Sequence, residues 1–177
     1  NGNIKIVKIG DFVDSLINKK GSKLFKEANL EVTNVKDENL ECISFDNNKT
    51  INFRKISEVS RHPVKELYEL ILEEGRNVKV TGNHSIFTIN NNEFISKKVE
   101  DLKLNDLIVC PKDNLFNNNS FIINEQEVEN SNTLTLIKTI EIKNQEFAFL
   151  KVEKINKIRT QDYAYDLTVP GYENFVG

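Results

Sequence analysis

Two histidines supply all the imidazole in this chain, and one of them, His84, stands in a segment suited to aiming it. Val78 and Val80 alternate with polar neighbours, Thr81-Gly82-Asn83-His84 interrupts the run, and Ile86 and Thr88 resume it. Glycine and asparagine tolerate positive φ, so the spacing predicts a kink that sends the threonine hydroxyl and the imidazole to one spot. A hydroxyl and an imidazole converging on a peptide bond can polarise its carbonyl and protonate its leaving nitrogen. A β-bulge in which both side chains merely pack is the alternative that this segment leaves open. His62, in Ser60-Arg61-His62-Pro63, has no partner fixed by spacing and reads as a surface or half-buried imidazole. Two histidines without a paired carboxylate spacing make a poor metal-ligand set. Cys42 and Cys110 lie in apolar or alternating runs and read as small buried hydrophobes. They are too few for a disulfide scaffold or a zinc cluster.

The elements that would position these groups read mostly as short strands with period-two alternation. Ile4, Ile6 and Ile9 open one run; Ile51 and Phe53, then Ile56 and Val59, form others. Further runs carry Leu107 to Val109, Val152 and Ile155, and Leu167 and Val169. Turn signals separate them at Asp46-Asn47-Asn48, Glu74-Gly75, Asn90-Asn91-Asn92 and Pro170-Gly171. One helix is predicted over Asp11 to Lys20, with Asp11 as its cap, Phe12, Leu16 and Ile17 as its apolar face and Gly21 as its stop. Pro63 to Gly75 also has helical composition, with Pro near its start, helix formers within and Gly at its end.

An internal repeat opposes that second helix. Lys8 to Val13 resembles Lys103 to Ile108 at an offset of 95 residues. Lys55-Ile56, Val59 and Arg61 match Lys151-Val152, Ile155 and Lys157 at an offset of 96. Tyr68-Glu69-Leu70 matches Tyr165-Asp166-Leu167 at an offset of 97. The second copy runs into Pro170-Gly171 and cannot continue as a helix. The repeat therefore predicts a strand over Leu67 to Leu72, a turn at Glu73-Glu74-Gly75 and a strand over Asn77 to Thr81. Chance recurrence of short apolar matches is the competing explanation. Residues 113 to 133 are rich in asparagine without a clear period, which predicts a long, mobile connection, within a flexible insertion at about 113–148.

Four segments in order carry a family resemblance. Within one segment, Glu66 to His84, Thr81-Gly82-Asn83-His84 resembles the Thr-x-x-His motif of inteins and related Hint domains, and Glu66 to Arg76 their strand and turn before that histidine. Asn3 to Asp14 resembles the stretch soon after the family's first residue. Val99 to Pro111 resembles the Leu-x-x-(Gly/Asn)-Asp-x-Val-x-x-Pro segment, and Tyr165 to Val176 the late Tyr-Asp-Leu-x-Val…Asn-Phe-Val segment. Only 20–50 and 113–148 lie outside the likeness, which is greatest to archaeal-type mini-inteins. It implies an all-β, horseshoe-like Hint fold with pseudo-twofold related halves and one or two short helices, one splicing domain over 1–177.

The implied activity is autocatalytic protein splicing in cis: an acyl shift at the upstream junction, transesterification, then asparagine cyclisation. By motif position, His84 would activate and protonate the first bond, Thr81 would hold it in a strained geometry, and Asp166 would assist nucleophile activation and branch formation. On context alone Asp166 reads equally as a sheet-edge carboxylate. Glu173 falls where many members carry a late histidine. The sequence begins inside the first motif and stops before the terminal His-Asn pair, so as written it is expected not to splice. The insertion is too short for the homing endonuclease of larger inteins, and no paired acidic Leu-Ala-Gly-Leu-Ile-type helices are present. An autoprocessing Hint domain that cleaves without ligating, and a non-catalytic β interaction module, are the rival readings.

Composition bounds these readings. The 177 residues suffice for one domain with a substantial core. With 38% hydrophobic and 29% charged residues and a net charge of −3, the chain reads as a globular protein without the basic stripe of a nucleic-acid binder. No transmembrane or signal-like stretch stands out, so a cytoplasmic monomer away from membranes is expected, with its own flanking host segments as partners and no cofactor. The absence of methionine suggests a segment cut from something longer.

Overall fold

Lys8 is extended, and the chain turns helical at Ile9, where apolar side chains begin to recur at helical spacing. In the computed structural model, which describes residues 5–46, 50–91, 93–112, 123–125, 138–140, 147–172 and 174, the helix α1 spans Ile9–Lys20. Val13, Leu16 and Ile17 form its buried stripe, packed with Val35, Ile56 and Val59. Asp11 does not cap it; the helix begins two residues earlier, leaving Asp11 in the first turn, where its charge suits the helix dipole. Gly21 ends it at φ 77°, donating its N–H to the Ile17 carbonyl. The strand expected from Ile4 to Ile9 is absent over its described part: residues 5–8 are irregular and Ile6 is 81% exposed.

Apart from short 3₁₀ turns, the remaining described elements are antiparallel strands. A four-stranded sheet runs in the order β1 (Lys23–Phe25), β2 (Leu30–Asn34), β5 (Glu58–Pro63), β14 (Tyr163–Thr168). A six-stranded sheet has the order β7 (Asn77–Val80), β6 (Glu66–Leu72), β13 (Phe147–Arg159), β10 (Leu107–Pro111), β8 (Ser85–Asn90), β9 (Glu93–Lys98). Two hairpins stand apart, β3 (Glu41–Phe45) with β4 (Ile51–Lys55) and β11 (Ile123–Glu125) with β12 (Lys138–Ile140). Leu70, Leu72, Val99, Ile108, Leu150 and Val152 form the core of the larger sheet. Among the described residues no helix is long and apolar enough to cross a membrane.

Glu66–Leu72 is a strand despite its helical composition, as the repeat predicts. It is paired on both edges, by β7 and β13, and Leu70 and Leu72 alternate inward to the core. Two laddered edges and a buried face outweigh intrinsic helix preferences of a fraction of a kcal/mol (roughly 0.7 at most) per ordinary residue. Glu74 (φ 65°) and Gly75 (φ 76°) then turn the chain into β7.

The repeat also sets the pairing between the halves. Each half gives its first repeat strand to the second repeat strand of the other: β5 pairs with β14, and β13 with β6. The registers agree under the offsets. Arg61 faces Tyr165 as Lys157 faces Tyr68, Val59 faces Leu167 as Ile155 faces Leu70, and Ser60 faces Asp166 as Asn156 faces Glu69. This is the pairing a twofold relation between copies requires. The third sequence match does not extend it, because Lys8 to Val13 enters α1 whereas Lys103 to Asp106 is a turn, with Asn105 at φ 70°, before β10.

Strand β13 serves both neighbours by changing partner along its length. Phe147 to Lys151 lie against β10; from Val152, opposite Leu72, the strand lies against β6, with a register irregularity between Val152 and Lys154. The expected insertion at 113–148 lies largely outside the described residues. Its last two residues, Phe147 and Ala148, are the start of β13 instead, lying opposite Pro111 and Cys110.

Candidate functional site

Strand β7 lies at one edge of the larger sheet and β8 three strands away from its partner β6, so residues 81–84 must redirect the chain. They do so as a turn closed by the His84 N–H on the Thr81 carbonyl at 3.1 Å. The backbone does not kink in the way the composition suggests. Neither Gly82 nor Asn83 has positive φ, and the feature is a turn between strands of different sheet position rather than a bulge.

Glycine is required at position 82 for a different reason, close approach. A Cβ there would sit 2.8 Å from Cε2 of Tyr68 and 3.4 Å from a Glu100 carboxylate oxygen. Real Cβ atoms do not come that near an aromatic carbon, so the Tyr68 ring forms the floor of the turn. The Nζ of Lys157 lies 5.3 Å from the centre of the same ring.

A 3₁₀ turn, Val99–Asp101, holds the loop from its other side. Val99 N–H donates to the His84 carbonyl at 2.9 Å, and Glu100 N–H to the Gly82 carbonyl at 2.9 Å. Val99 itself is 1% exposed in the core of the larger sheet, so the carbonyl of His84 is tied to a fixed point. These ties use main-chain groups only. The imidazole of His84 and the hydroxyl of Thr81 are half-buried and have no hydrogen-bond or ion-pair partner among the described residues. Tyr68, Val99 and Glu100 are the supporting residues that residue types and spacing do not single out. Tyr68 carries the one usable signal, as the tyrosine common to both repeat copies.

Asp166 lies elsewhere, exposed on β14 at the edge of the smaller sheet and opposite Ser60. Its Oδ1 accepts the Leu167 N–H at 2.8 Å. No hydrogen bond or ion pair joins it to Thr81 or His84 among the described residues. Its neighbour Tyr165 faces α1 instead, donating its hydroxyl to Asp14 Oδ2 at 3.1 Å and covering Gly10. Arg61 completes the set, bonding Asp14 Oδ1 at 2.7 Å and Glu31 at 3.0 and 3.2 Å. The Arg61 guanidinium holds the Glu31 carboxyl below its usual range, and burial, then Asp14, push the Tyr165 hydroxyl up.

Cys110 is buried as expected, whereas Cys42 is only half-buried. Burial raises the Cys42 thiol to about 11 and pushes Cys110 up as well, the opposite of an activated nucleophile. His62 sits half-buried on β5 opposite Ala164. No group of three or more His, Cys, Asp or Glu side chains among the described residues could hold a metal ion. Glu173 lies outside the described residues.

Known proteins agree on one family. The intein splicing domain model matches residues 1–177. The crystal structure of the transcription factor IIB Mvu mini-intein superposes with a TM-score of 0.74 at 39% identity, over 98% of this chain and 86% of that one. The transcription initiation factor IIB of Methanocaldococcus jannaschii is 41% identical over 113 residues, 64% of this chain and 16% of that protein. The DNA polymerase of Thermococcus litoralis is 34% identical over 155 residues, 84% of this chain and 9% of the polymerase. Such small shares mean that the likeness covers a segment carried within each of those longer proteins. The mostly-β fold with one helix is that of the solved Hint-type inteins, as the four motifs imply. Mini-inteins are among the solved structures it resembles, and the chain belongs to the intein splicing domains.

Proposed function

We propose that this chain excises itself from a host protein in a single-turnover reaction, using His84, Thr81 and Asp166 and no cofactor. A side-chain nucleophile at the upstream junction attacks the preceding carbonyl; as the C–N bond breaks, the departing nitrogen takes a proton from His84. Thr81 holds that carbonyl and strains the bond, while Asp166 assists the later transfer of the acyl chain to the downstream nucleophile. General acid–base help of this kind contributes about 10²–10⁴-fold.

One observation carries the reading. Among the described residues the imidazole and hydroxyl have no hydrogen-bond or ion-pair partner, yet their backbone is closed by a turn and tied to buried Val99. Side chains that only packed a turn would be buried or bonded within the protein. Groups left unbonded on a rigid backbone are ready to engage something external.

The strand ends support a single domain. We take 1–177 as one splicing domain, with a flexible insertion at about 113–148, reaching the first residues of β13, that is too short for an endonuclease. Partners are the protein's own flanking segments, and the site of action is the cytoplasm, as a monomer, without nucleic acid or membrane. The net charge of −3 is consistent with that assignment.

The test is expression of the chain within its natural host sequence, with products followed on a gel. A ligated host product supports splicing; cleaved flanks without ligation would favour an autoprocessing Hint activity. His84→Ala should reduce upstream cleavage by about 10²–10⁴-fold. An unchanged product pattern in that variant would overturn the assignment.

A further inference from the structure

Asn174 is 130 residues from Ser44 in sequence, yet its side chain is joined to the end of β3 by a complete set of hydrogen bonds. Its Oδ1 accepts from Ser44 Oγ at 2.9 Å and from Phe45 N–H at 3.0 Å. Its Nδ2 donates to the Phe45 carbonyl at 3.0 Å and to the Tyr172 carbonyl at 2.7 Å. A carboxamide has two donor hydrogens and two acceptor lone pairs, and all four are used. Asn174 thus pairs with Phe45 much as a neighbouring strand residue would, with a side chain in place of a main chain.

Val169 to Tyr172, before it, are held in place. Val169 is 3% exposed, Gly171 turns at φ 81°, and the Tyr172 N–H returns to the Val169 carbonyl at 3.1 Å. Arg54 of β4 lies 4.3 Å from the centre of the Tyr172 ring. The anchor point is itself rigid. Ser44 is fully buried, and the Phe45 ring packs edge-on against Phe87, Phe94 and Phe147 at 4.8, 5.8 and 5.5 Å. Phe87 lies on β8, three residues after His84. A continuous set of contacts therefore runs from the Thr81–His84 turn, through β8 and Phe45, to the segment that follows β14 and its Asp166.

We propose that Asn174 is a positioning residue for the downstream half of the splicing reaction. By fastening the chain after β14 to Phe45, it sets the course along which the downstream junction approaches the centre served by His84. This rests on the splicing function proposed above, since without a downstream junction there is nothing to position. Asn174 touches neither reacting bond; it acts through the direction of the backbone.

The experiment uses the chain in its natural host sequence and measures two steps separately. Thiol-induced cleavage reports the upstream junction, and ligated product together with downstream cleavage reports the other. Asn174→Ala should slow the downstream step by about 10–100-fold, the cost of misplacing a reacting group by an ångström, while upstream cleavage stays within about threefold. Asn174→Asp keeps the shape but replaces the donor with oxygen facing two carbonyls, so it should not restore the rate. Ser44→Ala removes one bond of the four and should give a smaller loss in the same direction, in a protein that folds normally. Leu70→Ala serves as the destabilised control and should slow both steps together. Equal slowing of both steps by Asn174→Ala, or a downstream rate unchanged in both the Asn174→Ala and Ser44→Ala proteins, overturns the inference. If the unaltered protein gives neither step, the splicing reading fails and this inference with it.

Discussion

Substituting Gly82 by alanine isolates the floor of the turn from every other property of the site. The residue has no positive φ, so alanine carries no backbone penalty there. The whole effect comes from a methyl group placed 2.8 Å from Tyr68 Cε2. Comfortable carbon–carbon contact begins near 3.5 Å, so the ring and the turn must separate by about 0.7 Å. Tyr68 cannot swing away freely, being on an interior strand with Lys157 beside its ring. Part of the movement therefore falls on Thr81 to His84. Overpacking of this kind costs about 1–3 kcal/mol, or a fall in melting temperature of a few degrees (about 2–4 °C per kcal/mol) in a chain of this size. The effect on chemistry is larger, because misplacement by about 1 Å can reduce a rate by about 100-fold. Thiol-induced cleavage at the upstream junction should therefore fall by roughly 10–100-fold in Gly82→Ala while the protein stays folded. Adding Tyr68→Leu removes the ring carbon and should recover much of the lost rate. A single variant that cleaves at the original rate, or a double variant no faster than the single one, refutes the steric argument.

Three further outcomes follow from the fold. Replacing residues 113–146 with a turn of about 2–5 residues should preserve upstream cleavage and ligation, because Pro111 and Phe147 already face each other across a hairpin; loss of folding by circular dichroism would contradict this. Arg61→Met should lower stability at neutral pH by removing the cation that holds Glu31 ionised and that bonds Asp14. Because the folded Glu31 carboxyl lies below its ordinary value of 4.5, its contribution is full above that pH and disappears as acid protonates it in the fold. Denaturant curves of variant and parent should therefore converge as the pH drops below 4.5, and a constant gap would disprove the linkage. Finally, folded protein at pH 7–8 should resist alkylation at both cysteines, with Cys42 reacting appreciably only as the pH nears 11; rapid labelling at neutral pH would show that burial does not control these thiols.

Much of this architecture is legible in the residues, and what is not has identifiable causes. The repeat locates β6 correctly where local preference favours a helix, because matched spacing carries information about long-range pairing that propensity lacks. Its weakest fragment fails: Gly10-Asp11 enters a helix and Asn105-Asp106 a turn, so similar short strings serve different elements. Alternation at Ile4, Ile6 and Ile9 predicts a strand, but alternation becomes a strand only when a partner strand is beside it, and among the described residues none pairs with residues 5–8. The Thr-x-x-His spacing correctly places hydroxyl and imidazole on one turn. The role of Gly82 is invisible, because it depends on a tyrosine that pairing brings to it from β6. Asn174 is legible as the Asn of the late Asn-Phe-Val motif, but its partners are hidden for the same reason, being set by the tertiary fold across most of the chain.

The exchange of strands between the two repeat copies constrains how the molecule could be divided. If the backbone were broken between β10 and β13, the first piece would keep β5 and β6 and the second β13 and β14, each with exposed hydrogen-bonding edges meant for the other. Neither piece could finish folding alone, so encounter and folding would become one event, governed by the concentration of both. Once clasped, the pieces could part only by unravelling, and such a pair would dissociate far more slowly than two preformed surfaces of similar area.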